Sequence, residues 1–135
     1  MTTIRRLPIA ALLAPLALFL GGCGGNGAVA KLAPVKGRVV LKDQGVTAAD
    51  IYFLPDAEKG NDGKMATAVL QEDGSFTLTT QGQGDGVIPG AYKATISCRR
   101  PDVDKKYKDV KTTPLAYTVP PEGMTDLEIK LDEVK

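Results

Sequence analysis

The chain reads as an all-β protein: one antiparallel β-sandwich of about seven strands behind an N-terminal leader. Three observations point there. Beyond the leader, apolar residues recur at every second position in short runs, the period of a half-buried strand. The runs are separated by Gly, Pro and Asp clusters, and the 135 residues hold 15 Gly and 9 Pro. No stretch after the leader carries apolar residues at helical spacing.

Taken in order, "VKGRVVLK" (35–42) sets Val35, Gly37, Val39 and Leu41 against Lys36, Arg38, Val40 and Lys42. "DIYFLP" (50–55) is a short apolar strand stopped by Pro55. "EKGNDG" (58–63) is turn material and leads into a strand over "KMATAVL" (64–70). "QEDGSFTLTT" (71–80) predicts a hairpin with its tip at Asp73-Gly74 and with Phe76 and Leu78 on one face. "QGQGDGVIPG" (81–90) is a loop by composition. "AYKATISC" (91–98) turns Tyr92, Ala94, Ile96 and Cys98 one way and Lys93, Thr95 and Ser97 the other. A charged stretch, 99–113, precedes "PLAYTVPP", and "TDLEIKLD" (125–132) opposes Leu127, Ile129 and Leu131 to Asp126, Glu128 and Lys130.

The leader has a different logic. Arg5 and Arg6 precede a run from Leu7 to Leu20 with no charged residue, the pattern of a secretory signal. Fourteen positions interrupted by Pro8 and Pro15 fall short of the roughly 20 that a membrane span needs. The same prolines would break a buried helix. The run ends in Leu20-Gly21-Gly22-Cys23, which resembles the lipobox of bacterial lipoproteins. That resemblance implies cleavage between Gly22 and Cys23, a diacylglyceryl thioether on Cys23, and acyl chains such as palmitate that hold the chain on a membrane. The expected organisation is a signal peptide over 1–22, a lipidated flexible tether over 23–33 ("GGNGAVAKLA" from Gly24) and a β-sandwich over 34–135. The expected location is a bacterial cell envelope, facing the periplasm or the surface.

Composition narrows the chemistry. Removing 1–22 leaves 113 residues, enough for one domain, with 15 basic against 16 acidic residues and a net charge of −1. That balance carries no nucleic-acid signature. Histidine is absent, and with it the commonest general base, the commonest metal ligand and the Ser-His and Cys-His nucleophile pairs. Tryptophan is absent too, which weakens a sugar-stacking surface. Cys98 falls on the Tyr92/Ile96 face and reads as a buried thiol; an unlipidated Cys23 would offer a Cys23–Cys98 disulfide instead.

No motif demands catalysis. "GQGDGVIPG" lacks the Gly-Lys-Ser/Thr ending of a phosphate loop. "DAEKGNDG" (56–63) lacks the ligand spacing and closing glutamate of a calcium loop. Glu72 and Asp73, neighbours at a hairpin tip, face apart. Neither metal nor cofactor is expected. The stretch from Arg99 to Lys111 carries Arg99, Arg100, Lys105, Lys106, Lys108 and Lys111 against Asp102, Asp104 and Asp109. Arg99, Arg100, Lys105 and Lys106, helped by Tyr107, form the candidate partner surface, for lipid headgroups or an acidic partner, against the plainer reading of a solvated loop.

Four further stretches together resemble the carboxypeptidase regulatory-like, or transthyretin-like, domain. They are Gly37-Arg38-Val39, "AADIYFLP", the hairpin Glu72-Asp73-Gly74-Ser75-Phe76, and Pro89-Gly90-Ala91-Tyr92-Lys93-Ala94-Thr95-Ile96. The resemblance covers roughly 35–131 and implies a seven-stranded Greek-key sandwich, with small single-domain lipoproteins as relatives. In "KDQGVTAAD" the family's first-turn Gly and Pro are not at matching places. The transthyretin-like hydrolase of the urate pathway relies on histidines and a C-terminal motif that this chain lacks. The expectation is therefore a non-catalytic binding or structural module on a membrane anchor, touching an envelope protein or glycan. The alternatives are a carbohydrate- or partner-binding accessory domain and a hydrolase on the same fold.

Overall fold

A computed structural model describes residues 31–134. The leader, Cys23 and the tether up to Ala30 lie outside the described residues. Eight strands follow in chain order: β1 (Val35–Leu41), β2 (Gln44–Gly45), β3 (Ala49–Pro55), β4 (Ala66–Val69), β5 (Ser75–Thr77), β6 (Gly90–Cys98), β7 (Ala116–Val119) and β8 (Met124–Leu131). Two 3-10 turns, Ala57–Lys59 and Lys105–Lys108, are the helical elements among the described residues. The fold is the all-β sandwich that the alternation predicts, and every expected run holds a strand.

The strands form two sheets. In the first, β1 runs antiparallel to β2 and β5 along one edge and parallel to β8 along the other. The second has the antiparallel order β4-β3-β6-β7. The parallel β1–β8 pair departs from a wholly antiparallel expectation. It joins the first strand to the last, so the long connection that a parallel pair requires is the remainder of the domain. The two-residue β2 is an addition to the expected strands. It folds back on β1 through Lys42 (φ 51°) and Asp43 (φ 61°), both left-handed, as a two-residue hairpin loop requires. Neither residue is the Gly or Asn that signals such a turn.

The inward alternation of both sheets builds the core. Val35, Val39 and Leu41 of β1 and Ile129 and Leu131 of β8 join Ile51 and Phe53 of β3 and Tyr92, Ala94, Ile96 and Cys98 of β6 in one buried cluster. Along one side the sheets are stitched by Thr67 and Thr79, whose backbone N–H groups each donate to the other's carbonyl at 2.9 Å.

Strand direction gives the sandwich two ends. β1, β6 and β8 all start at the end where the chain enters, where Ala33 pairs with Val87 and the Met124 N–H donates to the Pro34 carbonyl at 2.8 Å. Ala33, expected as the last residue of the tether, is thus paired into the sandwich and fully buried. The same three strands finish at the far end, where Val103 pairs with Glu133. Seven strand residues separate the two ends along β1, a span of about 23 Å.

Candidate interaction surface

The basic stretch leaves β6 at the far end and returns to the second sheet at β7. Two of its six cations are answered by carboxylates, Arg100 by Asp102 of the same stretch and Lys106 by Asp132 of the C-terminal segment. The Arg100 guanidinium donates through Nε and Nη2 to both oxygens of Asp102, and those bonds hold the Asp102 carboxyl below the usual carboxylate range. Lys106 Nζ lies 2.9 Å from an oxygen of Asp132 and 5.0 Å from the Tyr107 ring centre. The hydrogen bond to Asp132 raises the Lys106 ammonium pKa. Asp104 caps the 3-10 turn by accepting from the Lys106 N–H at 2.9 Å, and Asp109 accepts from the Lys111 N–H at 2.8 Å.

Tyr107 corrects the sequence reading. As a member of the partner surface it would be exposed; it is 2% exposed. Its hydroxyl donates to Asp132 Oδ2 at 3.1 Å and accepts from the Asp132 backbone N–H at 3.0 Å. The ring therefore plugs the open end of the sandwich and latches the segment after β8, a position where a phenol is apolar at its body and satisfied at its tip. Val103, 2% exposed, does the same for the first half of the stretch. The region is a largely exposed connection between β6 and β7, pinned to the sandwich by the buried side chains of Val103 and Tyr107.

Of the four cations named with Tyr107, Arg100 and Lys106 are thus engaged, while Arg99 and Lys105 are exposed and, among the described residues, have no ion-pair partner. This splits the expected effects of mutation. Arg99→Gln with Lys105→Gln should shift folding free energy by no more than about 0.5 kcal/mol in urea denaturation. Arg100→Gln with Lys106→Gln should lower the midpoint further, and the difference should shrink at high salt.

A separate concavity lies elsewhere. It is an open groove of about 970 Å³ beside the β4–β5 seam. Lys36 and Arg38 from β1, Thr67 and Val69 from β4, and Asp126 and Glu128 at β8 line it. Two cations and two carboxylates line it beside Val69, Phe76 and Leu127, so the groove has no net charge and mixes polar with apolar surface. Sequence reading missed it, because three strands distant in the chain meet to form it. Val69, 64% exposed, is the apolar element a reader could have flagged.

The other expected positions find structural employment. Cys98 is buried, 7% exposed, on the inward face of β6. In the Gly-rich loop, the Asp85 carboxylate accepts from the Gly82 (2.7 Å), Thr80 (2.8 Å) and Gln81 (3.0 Å) N–H groups, which hold it below the usual carboxylate range. Amides that would cradle a phosphate are committed to that side chain. Asn61, in the stretch weighed as a calcium loop, donates to the Ala91 carbonyl at 2.8 Å and accepts from the Gly63 N–H at 2.9 Å. Among the described residues no group of three His, Cys, Asp or Glu side chains is placed to hold a metal ion.

No protein-family model matches the chain, and no curated protein does either. Among solved structures it is similar to a DUF3823 family protein from Parabacteroides merdae, at 18% identity over 77% of this chain with a TM-score of 0.49. The chain spans 47% of that structure's length.

Proposed function

We propose that this protein is a lipid-anchored component of a bacterial cell envelope whose β-sandwich serves as a non-catalytic binding or structural module. The observation that carries the proposal is Leu20-Gly21-Gly22-Cys23 at the end of a charge-free run, followed ten residues later by Ala33, the first paired residue of the domain. Between cysteine and fold lies a short Gly-rich segment, the length and composition of a tether. The carboxypeptidase regulatory-like reading of the sandwich belongs to the same proposal and is supported by the β architecture and by the Asp73-Gly74 hairpin at the matching place.

Two features support the non-catalytic part. Cys98 is shielded in the core, and Asn61 is spent on its own backbone. The basic stretch stands about one strand length from the chain's entry point, at the opposite end of the sandwich from the tether. Within the proposal, Arg99 and Lys105 are exposed cations there for an envelope protein, a glycan or lipid headgroups.

The test is metabolic labelling with an alkyne fatty acid. Wild type should take up the label and sediment with membranes, and Cys23→Ala should lose both properties. Wild type that stays unlabelled and soluble would overturn the anchor.

A further inference from the structure

We propose that the outer edge of β8 pairs with the β8 edge of a second copy of this chain, antiparallel and centred on Ile129. This inference does not depend on the lipid anchor.

The other sheet edges are short or closed. The Thr67–Thr79 pair joins β4 to the segment after β5. β2 has two residues, and the four-residue β7 is flanked by Pro114, Pro120 and Pro121. β8 is eight residues long without a proline, and its ladder runs to β1 alone. Among the described residues, no hydrogen bond outside that ladder engages the backbone from 125 to 131. An open row of N–H and C=O groups of this length is a template for another strand.

The sequence along that edge is self-complementary. With Ile129 opposite Ile129 of the second copy, Leu127 faces Leu131, and Glu128 faces Lys130, twice over by symmetry. Apolar pairs then lie on the core side and opposite charges on the outer side. Glu128 and Lys130 have side chains 57% and 71% exposed and sit only 3.7 Å apart within one strand, free to exchange partners across the edge. A slip of one residue on either side of the centre that keeps the faces aligned opposes like charges. Centring on Glu128 sets it against itself and, although Asp126 then faces Lys130, exchanges the Leu127–Leu131 pairs for Thr125 against Leu131. Centring on Lys130 sets Lys130 against itself and Glu128 against Asp132. In the favoured register the ladder ends at Leu127 and Leu131, because the next N–H, that of Asp132, donates to the Tyr107 hydroxyl at 3.0 Å and Glu133 is bridged to Val103. Pairing would merge the two β8-containing sheets into one continuous sheet across a two-fold axis.

Sedimentation of the full chain in density-matched detergent, over a range of concentrations, tests this. Wild type should show a reversible dimer, and Glu128→Lys or Lys130→Glu alone should each weaken it by about tenfold or more. The double swap, Glu128→Lys with Lys130→Glu, recreates both cross-edge pairs and should return dimerisation to within about threefold of wild type. Far-UV circular dichroism should be the same for all four proteins. A wild type that is monomeric throughout, single variants that dimerise like wild type, or a swap as weak as the single variants would each overturn the proposal. Micelle co-residence through acyl chains would be insensitive to all three changes, and so counts against it.

Discussion

Truncation of Phe53 to alanine should cost about 3–5 kcal/mol, a large share of the roughly 5–15 kcal/mol that holds a domain of this size together. The reason lies in where β3 delivers the ring. Phe53 is fully buried, stacked on Tyr117 at 5.7 Å with 5° between planes, and tilted 40° to Tyr92 at 5.8 Å. Alanine would remove the packed ring and leave a cavity between strands held in place by ladder hydrogen bonds, which limits collapse. It would also end both ring–ring contacts, each worth about 0.5–1.5 kcal/mol beyond the area buried. Phe53→Leu fills most of the volume and should recover more than half of the loss. Urea denaturation of the two variants separates the terms; a loss under 1 kcal/mol for alanine would contradict the packing described.

Gly74→Ala should be nearly as damaging, and Gly60→Ala should not. The two glycines share one backbone conformation, φ 83° at Gly74 and φ 82° at Gly60. Placing alanine there costs about 1–2 kcal/mol for the left-handed conformation in either case. The difference is space. A Cβ at Gly60 meets nothing within 4 Å, whereas one at Gly74 would lie 2.4 Å from the Val39 carbonyl oxygen and 2.8 Å from the Gly45 Cα. Those are backbone atoms of β1 and β2, which cannot swing aside as a side chain does. Overpacking adds about 1–3 kcal/mol, so the expected total at Gly74 is about 2–5 kcal/mol. The checking measurement is the difference between the two variants' urea midpoints. Equal losses would mean that the hairpin tip does not dock on β1.

Much of this architecture is legible one residue at a time. Alternation identifies β1, β6 and β8 and the faces they bury, because a period of two is a local property of an extended chain. The Asp73-Gly74 tip is legible because a positive φ selects for glycine. Val40 is different: alternation sets it outward with Lys36 and Arg38, yet it is 3% exposed. It sits in the ladder between Gly45 and Lys130, partners that β1 acquires only in the folded sheet. Thr95, opposite Tyr52 in the second sheet, is likewise set outward by alternation and yet buried.

By itself the sequence determined the all-β class, the positions of seven of the eight strands and most of the inward faces, since each rests on periodicity or turn chemistry. Only the tertiary structure decided that β1 and β8 run parallel, that a groove opens beside the β4–β5 seam, and that Tyr107 is a plug rather than a contact residue. Those outcomes depend on residues far apart in the chain. Tyr107 and Asp132 are 25 positions apart, and in sequence the tyrosine sits among lysines and aspartates with no apolar period around it. Its burial follows from the open end of a sandwich needing a cover, and that need exists only once both sheets are in place.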